Sequence, residues 1–235
     1  MGEDWKTIAD VRDTHREVNF IQQVLKNKGL VLDLCCGTCR HSIILSRRGW
    51  KMIGLDISKN LLAIAKKSMK KERTEILLVR ADMRHFPFRN QVFEDIICMF
   101  TSFGYLPSES EDIKSFKEIR RTLGENGKFL LDLANRSYVI RIFREKEWAE
   151  YGPFYMLEKR SMEMEKSRLI SQWTIINKDT NEVRSLQHNV RLYKLGKMKQ
   201  MLKKAGLKFE RVYGGYDGKR FSSECSRMIM LTERI

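Results

Sequence analysis

Apolar positions along this chain switch repeatedly between two periods. From Val11 to Lys28 the residues Val11, Val18, Ile21, Val24 and Leu25 recur at helical spacings, and Gly29 ends the run. Leu30–Leu34 (LVLDL) is a short continuous apolar stretch that breaks at a Cys/Gly/Thr turn, and residues 38–48 return to a helical pattern through Ile43, Ile44 and Leu45. The next unit repeats the plan. A strand over Lys51–Asp56 ends on an acid, Ser58 is placed to cap a helix, and Leu61, Leu62, Ile64, Ala65 and Met69 carry that helix. Three more apolar runs follow, Glu75–Val79, Phe93–Met99 and Gly127–Leu133, with a helix over about 109–123 between the last two. Apolar strands alternating with helices specify a mostly parallel sheet covered on both faces.

Beyond Asn135 the pattern changes. Three segments between Phe154 and Tyr193 are rich in β-branched and aromatic residues and are separated by Glu165-Lys166-Ser167 and by Asn177–Asn181, which predicts an antiparallel flap. A short helix over about 197–204 stops at Gly206, and strands over Leu207–Tyr213 and Arg227–Thr232 form a closing pair around Gly214-Gly215. The expectation is one α/β domain over 1–235, with a seven-stranded sheet, a core of 11–135 and 194–235, and a flap of about 150–193 inserted after the fifth strand. No repeat or linker marks off a second domain.

Composition changes this picture little. The chain has 235 residues and 42% hydrophobic content, enough for one substantial core. Lys and Arg number 45 against 30 Asp and Glu, giving +15, a field that concentrates anionic partners near the surface. The basic residues are scattered as pairs such as Arg47-Arg48 and Lys203-Lys204, the pattern of a solubilising coat. No apolar run approaches the roughly 18 to 20 residues that cross a membrane, and MGEDWKTIAD lacks the apolar core of a leader, so a cytoplasmic protein without a membrane partner is expected. Cys36-Gly37-Thr38-Cys39 has C-x-x-C spacing, yet no second pair or His pair follows it, so neither a zinc site nor a redox pair is expected. Cys98, inside a strand, reads as a small buried hydrophobe.

In a doubly wound sheet, ligands bind beyond the carboxyl ends of the strands, where a small residue lets the backbone approach and a helix N-terminus follows. Here that place is Asp33–His41. Asp56 ends the second strand about 20 positions beyond Gly37, the spacing at which an acid accepts from ribose hydroxyls. Only Gly37 remains of a three-glycine phosphate fingerprint, and Asp33 would repel a pyrophosphate, so a cationic nucleoside suits this turn better. The alternative role for Asp33 is to cap the following helix.

The segment VLDLCCGTCRHSIILSRRGWKMIGLDIS resembles the first two motifs of class I S-adenosylmethionine-dependent methyltransferases, closest to the small-molecule-type subgroup with D-x-x-C-G-T-G-R in this loop. The likeness continues in REVNFI, ADMR, FTSFGYL, EIRRTLGENGKFLLDLAN and HNVRLY, and so covers nearly the whole chain. It implies a Rossmann-like methyltransferase fold with S-adenosylmethionine as cofactor. By the resemblance, Asp33, Cys35, Gly37 and Thr38 line the methionine portion, Asp56 holds the ribose, and Ile57 packs on the adenine. Asp82 accepts from the adenine amino group with Met83 beside the ring, and Phe100 and Thr101 close the site. Cys39 departs from the family, which has glycine there; a positive φ at this position would strain cysteine by about 1 kcal/mol or more.

Methyl transfer from a sulfonium is an in-line displacement, so alignment and exclusion of water matter more than a strong base. Candidate groups to accept or relay a proton are His188, Tyr193 and Tyr105, and candidate acceptor-binding residues are Tyr105, His188, Arg191 and Tyr193, under a lid made by the flap and the 100–106 loop. His188 shares a strand face with Leu186, Val190 and Leu192, whereas Arg191 and Tyr193 point the other way. His41 falls in the first turn of a helix, where the dipole disfavours an imidazolium, so it is assigned an orienting or packing role as readily as a functional one. A small-molecule acceptor is favoured because no nucleic-acid module is appended. An RNA methyltransferase, a non-catalytic cofactor-binding subunit and a nicotinamide oxidoreductase are the alternatives; nothing in the chain indicates its oligomeric state. Calorimetry decides the oxidoreductase alternative: S-adenosylhomocysteine is expected to bind and NADH to give no heat of binding, and the reverse result would remove the methyltransferase expectation.

Overall fold

A computed structural model describes residues 13–26 and 29–235 of the chain. Helix α1 (Thr14–Val24) starts where the Asp13 side chain accepts from the Arg16 N–H and buries Glu17, Val18, Phe20 and Ile21 on one face. Val11 and Lys28, the ends of the expected entry helix, lie outside the described residues. Then come β1 (Leu30–Leu34), α2 (Arg40–Arg47), β2 (Lys51–Asp56), α3 (Lys59–Glu72), β3 (Leu77–Arg80) and β4 (Phe93–Cys98). Helix α4 (Glu109–Thr122) carries Glu109, Glu111 and Asp112 in its first turn and Arg120 and Arg121 in its last, signs that complement the helix dipole. Strand β5 (Leu123–Ala134) starts where α4 stops, earlier than the expected Gly127. Both Ser58 and Ser108 cap their helices as N-cap side chains accepting from backbone N–H groups.

The main sheet has the order β10-β11-β5-β4-β1-β2-β3, where β10 is Leu207–Tyr213 and β11 is Arg227–Arg234. Every pairing is parallel except those of β11, which runs antiparallel to both its neighbours. Strand order reverses between β1 and β4, so their carboxyl ends diverge into a crevice. Buried Leu32, Leu34, Phe93, Ile96, Phe116 and Phe129 fill one side of the sheet, and Val18, Phe20, Ile21, Val31 and Ile97 belong to the cluster on the other. The expected turn at Gly214-Gly215 is longer than a hairpin: residues 214–226 join the two strands, held by the Gly214 N–H on the Lys219 carbonyl.

After β5 come a short helix α5 (Arg136–Arg141) and a four-stranded antiparallel sheet of β6 (Lys146–Tyr151), β7 (Phe154–Glu163), β8 (Arg168–Asn177) and β9 (Val183–Arg191). The flap therefore starts before the expected position, because β6 (KEWAEY) is a charged edge strand without a continuous apolar run. Helix α6 (Leu195–Lys204) returns the chain to β10. Among the described residues, no helix is long and apolar enough to cross a membrane.

The flap is joined to the 100–107 loop through the loop's main-chain carbonyls. The Arg191 N–H donates to the Gly104 carbonyl at 2.9 Å, and Arg168 donates to the carbonyls of Leu106 and Pro107 at 2.8 and 3.0 Å. Gly104 has φ +103, and a Cβ there would fall 2.5 Å from the Arg191 carbonyl oxygen. Gly104→Ala is thus expected to lower stability by about 1–3 kcal/mol in urea unfolding and to speed proteolysis within the flap. An unchanged midpoint and cleavage rate would show that this joint does not anchor it.

Candidate functional site

The site begins with backbone that is unfavourable for most side chains. Cys35, Gly37 and Cys39 all have left-handed φ, +57, +56 and +60, in the turn between β1 and α2. The strain expected at Cys39 is therefore present. The Cys39 N–H donates to the Cys36 carbonyl at 2.9 Å and the Cys36 N–H to the Leu55 carbonyl at 3.0 Å, so the turn is tied to its own start and to β2. Gly54 lies beneath it: a Cβ there would approach the Cys36 and Cys39 sulfurs to 2.9 and 3.0 Å. Beside Gly37 the space is open, the nearest atom to an added Cβ being a Leu61 methyl at 3.9 Å. The fully buried Cys98 adjoins Cys35, consistent with its reading as a small hydrophobe.

Asp56 closes the turn from the neighbouring strand. Its two oxygens accept from the Gly37 N–H at 2.9 Å and the Ser58 N–H at 2.8 Å. Ile57, next in the chain, is 62% exposed, an apolar platform at the mouth of the crevice. Asp33 is buried and accepts from the Ser42 hydroxyl at 2.5 Å, which holds the first turn of α2. Burial pushes its carboxyl above the usual range despite His41 and Ser42, a cost that a nearby ammonium would relieve. Asp82 and Met83 are half-buried beyond β3. Both Asp82 oxygens accept from Arg84, at 3.0 and 2.6 Å, and that pairing holds its carboxyl below the usual range. Any amino group on Asp82 therefore shares it with Arg84.

Two ion-pair networks that periodicity did not indicate flank Phe100. Glu17 of α1 accepts from Arg40 and lies 2.6 Å from the His41 ring nitrogen; burial alone would raise its pKa, but His41 and Arg40 outweigh that and hold it at about 2. On the other side Asp132 accepts from Arg227 at 2.8 Å and from the Tyr216 hydroxyl at 2.5 Å. The guanidiniums of Arg40 and Arg227 stand 5.5 and 5.1 Å from the Phe100 ring centre. Phe100 and Thr101 both have left-handed φ, +63 and +58, and are fixed by donating to the Asp132 carboxylate and carbonyl at 2.8 Å each. Arg40 and Glu17 stand in segments that carry the family resemblance, so these were within reach of motif reading; the pairing of Asp132 with Arg227, across two strands far apart in sequence, was not.

The acceptor-side candidates divide into two groups. His188 meets the Trp173 ring edge to face at 4.4 Å and lies 6.4 Å from Tyr105, whose hydroxyl is within electrostatic reach of the Cys35 side chain. Burial lowers the His188 pKa against the pull of Glu158, so the ring is neutral at pH 7. Arg191 and Tyr193 are the correction. Both are committed to Asp112 at the start of α4, Arg191 at 3.1 Å and the Tyr193 hydroxyl as a donor. Tyr193 is buried, and burial together with Asp112 pushes its pKa up, which makes it a poor proton relay; the pair serves as a latch between β9 and α4.

Residues 31–127 match the family model described as a methyltransferase domain. The protein named "Putative methyltransferase YqeM" of Bacillus subtilis (strain 168) is 24% identical over 218 residues, 92% of this chain and 88% of the relative. Other relatives are matched over about half of their length. An S-adenosylmethionine-dependent methyltransferase from Clostridium acetobutylicum ATCC 824 has a crystal structure similar to this one at TM-score 0.87 and 19% identity, covering 97% of this chain and 94% of that one. The sugar N-methyltransferase KedS8 from Streptoalloteichus sp ATCC 53650 is similar at TM-score 0.79 and 18% identity, covering 100% and 93%.

The open space at Gly37, the carboxylate of Asp56 and the exposed face of Ile57 lie together at the carboxyl ends of β1 and β2. Asp56→Ala is expected to weaken S-adenosylhomocysteine binding by about 1–3 kcal/mol in calorimetry. An unchanged dissociation constant would remove the ribose assignment.

Proposed function

We propose that this chain, which carries a methyltransferase domain, is a class I S-adenosylmethionine-dependent enzyme that methylates a small-molecule acceptor held between the 100–107 loop and the inner face of the flap. The observation that carries this reading is the fastening of β9 to Gly104, which sets His188 and Tyr105 together over the Cys35 end of the cofactor turn. The cofactor, when bound, supplies the methyl group on a positively charged sulfur. Asp33, Cys35, Gly37 and Thr38 hold its methionine part, Asp56 its ribose, and Ile57, Asp82 and Met83 its base, while Phe100 and Thr101 wall the crevice. These residues then have only to align donor and acceptor and keep water out. Neutral His188 is placed to take a proton from an acceptor that carries one.

The flap acts as the lid of a single domain in this reading. The similarity to KedS8, a sugar N-methyltransferase, supports a small acceptor without naming the one used here.

The test uses methyl-labelled S-adenosylmethionine and a whole-cell extract separated into low-mass, RNA and protein fractions. Label is expected in the low-mass fraction; label confined to RNA or protein would overturn the reading. With an acceptor found, kcat/KM is expected to fall at acid pH with a midpoint below 6.5, since burial keeps His188 unprotonated past the ordinary histidine value. His188→Gln should abolish that limb and lower kcat by about 10²-fold or more. An identical profile in the variant would exclude His188 as proton acceptor.

A further inference from the structure

The flap's inner face carries a group of side chains that the methyl-transfer reading leaves unassigned, and what they recognise names the acceptor's chemistry on the premise of that reading. Side chains alternate along strands, so Glu158, Ser171, Trp173 and His188 share one face with the buried Phe154, Met156 and Ile175. Strand register sets Glu158 opposite Trp173 and Ser171 opposite His188. The Trp173 and His188 rings meet edge to face, and Tyr105 from the loop below closes a third side. The Ser171 hydroxyl is fully buried and has no hydrogen-bond partner, a cost that a ligand N–H would remove.

The charge of this face opposes that of the whole protein. Glu158 is the charged group that acts on His188, and its own side chain is only 16% exposed. Arg160, on the same face, contacts Glu158 at 3.5 Å and also pairs with Glu147. Two carboxylates therefore share one guanidinium, and the cluster is negative. Arg184, also on that face, is paired with Glu182 at 3.1 Å.

We infer that the acceptor is an aliphatic amine, walled by Tyr105, Trp173 and His188, with Glu158 supplying the negative field and Ser171 accepting an N–H. The nitrogen lone pair forms the new bond to the methyl carbon, the electron pair of the breaking carbon–sulfur bond stays on sulfur, and the positive charge passes from sulfur to nitrogen. An amine that arrives as its ammonium first gives one proton to neutral His188, from which it leaves to water. Aromatic faces and a carboxylate on the acceptor side stabilise positive charge better at nitrogen than at sulfur, and so favour the transition state over the ground state. A phenolate or carboxylate acceptor would meet Glu158 as a like charge, which opposes its binding.

The test uses three probes of one shape and different charge: choline, 3,3-dimethyl-1-butanol and 3,3-dimethylbutanoate. Each is titrated by calorimetry into protein saturated with S-adenosylhomocysteine, whose own binding is measured first. Failure of that first binding removes the methyltransferase reading itself. If it holds, choline is expected to bind about tenfold more tightly than the neutral alcohol, and the carboxylate least. Choline no tighter than the alcohol, or binding of none of the three, overturns the inference, as does a preference for the carboxylate. Glu158→Gln should reduce the choline preference several-fold and leave S-adenosylhomocysteine affinity unchanged. Retention of the full preference in that variant would overturn the role of Glu158.

Discussion

A single buried carboxylate sets the geometry of the carboxyl end of the sheet. Asp56 accepts from the backbone N–H of Gly37 and from that of Ser58, so one side chain fixes both the turn after β1 and the start of α3. The turn needs such a tie. Three of its residues are in left-handed backbone, and two of these are cysteines, each strained by about 1 kcal/mol or more. Gly54 completes the constraint by leaving room for the Cys36 and Cys39 sulfurs where any side chain would collide with them.

Strain recurs one strand further on, at Phe100 and Thr101, and the same kind of compensation meets it. Asp132 receives the Phe100 N–H and the Arg227 guanidinium, and Glu17 anchors Arg40 on the opposite side of the ring. Buried ion pairs of this kind add little net stability, but losing one partner leaves an uncompensated charge at a cost of about 3–5 kcal/mol. Their contribution here is to hold one arrangement of α1, α2, β5 and β11 around the crevice.

Much of this was legible in the chain. LVLDL, KMIGLD and FEDIIC are strands because both faces of a parallel sheet are covered, and Ser58 capped the helix its position predicted. Gly37 and Asp56 met because a strand, a turn and a second strand leave them no other arrangement. Less legible were β6, whose charges mask an edge strand, and α5, too short to show a period. Alternation turns Arg191 and Tyr193 away from His188, but it gives a direction and not a partner: that the partner is Asp112, at the start of α4, follows only from how the flap folds back. The same limit hid Asp132 and Arg227, which periodicity reads simply as a buried acid and an isolated base.

The joint between the flap and the 100–107 loop has an evolutionary consequence. Gly104, Leu106 and Pro107 contribute carbonyls there, Arg191 donates to them from its amide and its guanidinium, and the Arg168 side chain reaches Leu106 and Pro107. Backbone atoms persist through most mutations, so residues on the inner surface of β7, β8 and β9 can be exchanged without unhooking the flap from the loop. Such an architecture lets the doubly wound half of the chain remain constant while the inner face of the flap diverges by point mutation in a few strand positions.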